Sequence, residues 1–276
     1  MLTLNLFDEL FRHCITSANI APIRLKWIRD QKVWPGTTIF TDSFVNSPLV
    51  SQVKCKNKIF WLLESKEITS EAYDLTEKFH HAFDTVLTHD RALMESNPKK
   101  FRFTIPVSYR ELQQDGIPTM IYPKTKHIST IASDKNKTTG HRFRHEVIRH
   151  FCSSFDVFGR GYRPIKSVSE GLKDYRFSVT IENSSYDYYF TEKILNCFDL
   201  GTIPIYWGCP SIGNFFDLDG IIRFEHLGEL ASILSNLKES DYEKRLPAVK
   251  RNFELVQKYL SAEEWMFDHI RDLFHE

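Results

Sequence analysis

The chain has 276 residues, 42% of them hydrophobic and 14% aromatic, enough for one large domain or two of ordinary size with a real core. Lysine plus arginine balances aspartate plus glutamate at 36 each, and zero net charge argues against a protein that lives on nucleic acid or an anionic membrane, since both need a positive field. The five cysteines, Cys14, Cys55, Cys152, Cys197 and Cys209, are scattered without a C-x-x-C pair, which points away from a zinc site or a disulfide framework and toward reduced thiols in a cytoplasmic protein.

The opening stretch MLTLNLFDELFRHC carries acidic residues inside its apolar run and lacks the basic-then-apolar order of a signal peptide. No apolar run approaches the length of a transmembrane helix, so a soluble chain is expected. No fixed-period repeat and no low-complexity tract occur. From residue 37 on, short apolar runs alternate with segments of helical period. TTIF (37–40), KIFWLLE (58–64) and DTVLT (84–88) read as strands, and residues 69–83 and 89–96 as helices. The polar stretch SDKNKTTGHR (133–142) marks an interdomain connection nearby. KHISTIAS, just before it, reads as the first strand of the next unit, so the expected domains are 1–125 and 126–276.

The second half repeats the alternation. HRFRHEVIRHFCSS is helical, FDVFG a strand, SVSEGLKDY a short helix, RFSVTIE a strand, TEKILNCFDL a helix and TIPIYWG a strand. Three helical segments follow from Glu225, the middle one bent or split by Pro247. Strands alternating with helices imply parallel sheets, and the two halves imply an α/β protein of two Rossmann-like domains with a cleft between them.

Within SSYDYYFTEKILNCFDLGTIPIYWG (184–208), Thr191 suits an N-cap and Gly201 a helix C-cap. In such sheets ligands bind beyond the carboxyl ends of strands, near helix N-termini. Lys193 sits in the first helical turn, where a cation opposes the helix dipole. That placement makes sense if an anion arrives there. The plain alternative is a solvated lysine paired with Glu192. Neither G-x-G-x-x-G nor a Walker A loop is present.

The stretch FSVTIENSSYDYYFTEKILNCFDLGTIPIYWGCPSI resembles the donor-binding signature of the α1,3-fucosyltransferase family, bacterial members above all. The matches are Glu182-Asn183, Tyr189-Phe190-Thr191-Glu192-Lys193 and the strand Thr202–Gly208. IFWLLESKE resembles the family's strand ending in a catalytic glutamate, FDTVLTHDRAL…IPVSY also has a family look, and TGHRFRHEVIRHFCSSFDVFGRG resembles the start of its donor domain. The resemblance runs from about Lys58 to Phe224. It implies a GT-B fold and inverting transfer of L-fucose from GDP-fucose to a glycan hydroxyl.

What the resemblance implies for single residues follows. Glu64 takes the role of general base, with Glu67 as the fallback. Lys193 and Arg142, or Arg144 two residues on, hold the diphosphate. Glu192 binds the ribose hydroxyls, and Asn183 and Tyr189 line the nucleotide-sugar pocket. Tyr186 and Tyr188 are left to loop packing. Each has a bland counterpart: a surface carboxylate, a solvated arginine, a turn asparagine, a packed tyrosine. No metal or other cofactor is expected. The Asp-x-Asp of DLDG (217–220) matches a metal-bridging motif of another glycosyltransferase fold, yet reads here as a turn before glycine.

The carboxy-terminal heptads, membrane anchor and terminal cysteine motif of other members are not in the sequence, and the shortfall in length is expected on the acceptor side. Alternatives stay open: a different nucleotide sugar, a protein or nucleic-acid acceptor, or a non-catalytic nucleotide-sugar or glycan-binding module. Glu64 together with the Glu192-Lys193 pair speaks against the last.

Overall fold

Two sheets organise the chain in the computed structural model, which describes residues 1–106, 112 and 115–275. The first has six strands: β1 (Leu2–Phe7), β2 (Leu25–Arg29), β3 (Thr37–Thr41), β4 (Asn57–Trp61), β5 (Thr85–Thr88) and β6 (Phe101–Phe103). Their order is β2-β1-β3-β4-β5-β6, and every pairing is parallel. The second has β7 (Lys126–Ile131), β8 (Asp156–Phe158), β9 (Tyr175–Ile181), β10 (Ile203–Trp207) and β11 (Ile222–Arg223). It runs β11-β10-β9-β7-β8, again all parallel. Between β7 and β9 the strand order reverses, the point where ligands of open α/β sheets bind.

Buried parallel strands need apolar residues on both faces. In β9 all but Arg176 are buried, and Phe177, Val179 and Ile181 join Ile203 and Ile205 of β10 in one core with Val147 and Tyr242. The first unit's core gathers Phe7, Phe40, Phe60, Phe83, Val86 and Tyr73. The expected helices appear at Ser70–Phe79, Arg91–Ser96, Thr139–Phe151, Glu192–Asp199, Leu227–Asn236, Glu239–Val256 and Ala262–His269. Pro247 does not split its helix, which is continuous from Glu239 to Val256. DLDG is a short turn of helix, with Asp217 accepting the Asp219 N–H. Residues 107–109 of IPVSY lie outside the described residues.

The two compact units do not divide at 125/126. Residues 115–125 side with the second unit. Tyr122 packs beside Leu172 and Leu200, and the Lys124 ammonium donates to the carbonyls of Lys173 and Leu200 and to Thr202 Oγ1 at 2.7–2.9 Å. The segment from Lys258 onward, and the three residues Asp187–Tyr189, belong to the first unit. Carboxylates explain the former: Glu263 and Glu264 accept from Ser17, Trp27 and Arg24.

Candidate active site

The β9–helix–β10 crossover of the second unit forms as expected. Thr191 caps the helix Glu192–Asp199, and Gly201 ends it with φ +69°. At the end of β9 stands Glu182, wholly buried. Its carboxylate accepts from Thr191 N at 3.0 Å, Thr191 Oγ1 at 2.6 Å and Tyr206 OH at 3.4 Å. The Lys193 ammonium donates to Thr191 Oγ1 and to Glu192 Oε1, both at 3.0 Å, and lies 3.7 Å from Glu182 Oε2.

Lys193 is therefore not a freely solvated side chain; only 24% of it is exposed. Burial opposes its charge, but the carboxylates of Glu192 and Glu182 outweigh burial and raise its pKa. Glu192 is the mirror case: burial would raise it, and the Lys193 charge lowers it below the usual carboxylate range. For Glu182, burial wins over the nearby ammonium and raises the pKa.

The second cation is Arg144. It is buried and donates to Ile181 O at 2.5 Å, and its charge acts on Lys193. Arg142 turns the other way: exposed, it donates to Lys137 O at 3.0 Å and Thr139 Oγ1 at 3.2 Å, and it lines a shallow hollow with His145 and Arg149. The structure brings Arg144, and not Arg142, to the lysine. Asn183 is half-buried, and its carbonyl accepts the Gly140 N–H at 2.9 Å.

Three contributors were given no role of their own by the sequence reading. Gly140 opens the helix Thr139–Phe151 against the end of β9, where a Cβ would sit 1.9 Å from Glu182 O. Gly208 is also tight: a Cβ there would lie 2.5 Å from Glu182 Cγ. His141 forms a capping box with Thr138 and is pushed down to about 4, first by burial and then by the charges of Arg144 and Lys193, so it stays neutral. The polar, linker-like look of SDKNKTTGHR hid a Thr-x-x-His cap.

Glu64 lies in the first unit, three residues past the observed end of β4, so the strand is shorter than KIFWLLE. Its backbone is fixed from two sides. Leu63 N donates to Asp42 Oδ1 at 2.8 Å, and Tyr73 OH donates to Glu64 O at 2.8 Å. Because the Tyr73 proton is committed there, His89 Nε2 is the donor in its 3.2 Å bond with Tyr73. Burial pushes His89 down to about 3, so it too is neutral. Tyr189 is wholly buried; its hydroxyl donates to Glu64 Oε2 at 3.4 Å, and its ring lies 5.2 Å from that of His89. Glu67 is half-buried in the turn that follows Glu64. Tyr188 packs on Phe103, with ring centroids 5.6 Å apart, and Tyr186 is exposed.

Two parallel α/β units, the second with a cation-bearing helix start at the end of β9, define a protein with the glycosyltransferase fold of GT-B type. Residues 121–266 match the model of glycosyltransferase family 10 (fucosyltransferase), C-terminal part; that is over half of the chain, and the chain belongs to this family. It is 42% identical over 57 residues to the alpha-(1,3)-fucosyltransferase FucT of Helicobacter pylori, a stretch that is 21% of this chain and 12% of that protein. It is 35% identical over 74 residues to GDP-fucose protein O-fucosyltransferase 3 of Xenopus tropicalis, 25% of this chain and 16% of that one. A crystal structure of alpha1,3-fucosyltransferase with GDP-fucose superposes with TM-score 0.59 at 15% identity, covering 94% of this chain and 90% of that one. TarM superposes with TM-score 0.55 at 11% identity, covering 86% and 54%. No helix among the described residues is long and apolar enough to cross a membrane.

Proposed function

We propose that the chain transfers L-fucose from GDP-fucose to a hydroxyl of a glycan acceptor, with inversion and without a divalent metal. The observation that carries this reading is the Lys193–Thr191–Glu182 cluster with Arg144 at the end of β9. Lys193 and Arg144 take the charge that builds on the diphosphate as the anomeric C–O bond breaks. Preorganised cations in a site shielded from water are worth more than the same charges in water. Glu192 remains the ribose acceptor, and Asn183 lines the nucleotide-sugar pocket. Glu64 takes the proton of the attacking acceptor oxygen. A carboxylate whose backbone is fixed on both sides is suited to that task.

The donor half is tested by calorimetry of GDP in EDTA, on wild type and Lys193→Ala. Removing one charge-assisted hydrogen bond costs about 1.5–3 kcal/mol, so affinity falls roughly tenfold to a hundredfold. Equal affinities, or GDP binding that returns only with manganese, would overturn it. The catalytic half is tested by Glu64→Gln, which keeps size and removes the base. Turnover of GDP-fucose falls by about a hundredfold to ten-thousandfold while GDP affinity holds. Near-normal turnover sends the search to Glu67.

A second reading of the acceptor rests on the Xenopus tropicalis relative, whose name specifies a protein acceptor. Product analysis with glycan and peptide acceptors side by side separates the two.

A further inference from the structure

We infer that a nucleoside diphosphate arriving at the start of the helix Glu192–Asp199 draws a proton from solvent, and that Glu182 receives it. This rests on the reading of that helix start as the diphosphate site. The cluster gathers two carboxyl groups, Glu182 and Glu192, and two cations, Lys193 and Arg144. With both carboxyls ionised these four charges sum to zero. A diphosphate adds further negative charge to a largely buried cluster, where an uncompensated charge is costly. A proton taken up at the same moment reduces that imbalance.

Glu182 is suited to take it. It is wholly buried, and burial raises its pKa against the pull of Lys193. A like charge arriving nearby raises it further. Its partners also fit either protonation state. Oε1 accepts from Thr191 N and Tyr206 OH, and keeps both bonds as the carbonyl oxygen of a neutral acid. Oε2 meets Thr191 Oγ1 at 2.6 Å, and a hydroxyl can donate or accept. With a proton on Oε2 that bond reverses, running from Glu182 to Thr191, and the threonine hydrogen is released to a new acceptor. The Lys193 ammonium, 3.7 Å from Oε2, then faces one ionised carboxylate instead of two, which leaves more of its charge for the phosphate.

The other groups around Glu182 are poorer acceptors. Glu192 accepts from Lys193 at 3.0 Å, and that charge holds it below the usual carboxylate range. His141, on the helix Thr139–Phe151 with Arg144, is neutral with a pKa of about 4. Its Nδ1 accepts the Thr138 N–H at 3.2 Å, so a proton there would break the capping box. Burial pushes the Cys197 thiol up to about 12, so it already holds its proton. Tyr206, on β10, is a donor to Glu182.

The test is calorimetry of GDP in EDTA in two buffers of different ionisation heat, at about pH 7.5, where free GDP has lost nearly all of a terminal phosphate proton that leaves near pH 6. The wild type is expected to take up between about a half and one proton per GDP, and by linkage its affinity falls as pH rises, by up to about tenfold per pH unit. Glu182→Gln copies the neutral acid. It should take up no proton, keep a flat affinity from neutral to mildly alkaline pH, and bind more tightly than wild type at the alkaline end. Binding heat that is the same in both buffers would overturn the inference, and so would uptake that persists in Glu182→Gln. Infrared difference spectra of the wild type, with and without GDP, keep the assignment testable should that variant fail to fold. A protonated-carboxyl band that shifts with isotope-labelled glutamate supports it, and absence of the band overturns it. No GDP binding in either buffer would instead fail the diphosphate reading itself, and this inference with it.

Discussion

Asp42 shows how one residue registers its surroundings. Burial, and then the charge of Glu64, push its carboxyl up to about 7, while the Leu63 N–H pulls the other way. The folded state therefore keeps a proton that the unfolded chain, with a carboxyl near 3.8, has already released. Linkage fixes the sign: the contribution is fully present below the unfolded value and is lost as pH rises toward 7. In Asp42→Asn the side-chain amide oxygen still accepts the Leu63 N–H, and the group cannot ionise. Melting curves of both proteins from pH 4 to 7 should show wild type losing ground to Asp42→Asn as pH rises. Parallel curves would mean that Asp42 ionises in the fold as it does in the unfolded chain.

Elements were legible where pattern and caps agreed. The crossover from β9 to β10 was readable because a buried apolar strand, a Thr cap, an amphipathic turn and a C-cap glycine stand in order. Strands β6 and β11 have three and two residues, too few for any periodicity to register. β1 and β2 were missed in a stretch whose acidic and basic residues blur the alternation. Arg142 and Arg144 are about 200° apart around a helix, so only packing decides which one faces in. Tyr189 depends on a partner 125 positions away, which no local pattern reveals. Gly140 looked like a linker residue, yet it is where two elements meet most closely. Gly140→Ala would drive a Cβ into the Glu182 carbonyl, a backbone atom that cannot step aside cheaply. The cost should be about 3 kcal/mol or more. Gly116→Ala, where nothing lies within 4 Å, is the control for the loss of a glycine, although its φ of +66° adds strain of its own. Equal melting temperatures for Gly140→Ala and wild type would show that the helix start can shift.

At the scale of the molecule the chain leaves the first unit, builds the second and returns, so the first unit's stability depends on residues more than two hundred positions from its opening strands. Glu263 is the clearest case. Wholly buried, it accepts from Ser17 N, Ser17 Oγ and Trp27 Nε1, each at 2.6 Å. Glu264 and Asp268 add paired contacts to Arg24. Those last two pairs are partly exposed, so less is expected of them. Removing the Glu263 carboxylate strands three donors at once, and losing one partner of a buried, charge-assisted set costs about 3–5 kcal/mol. Glu263→Gln keeps one acceptor oxygen and should fall between wild type and Glu263→Ala. Because every one of these partners lies in the first unit, the damage should be local. Hydrogen exchange on Glu263→Ala is the measurement. Amides of β1 and β2 should lose protection, while those of β9 and β10 keep most of theirs and GDP affinity is retained. Equal loss in both sheets would show that the returning segment stabilises the whole chain and not one unit of it.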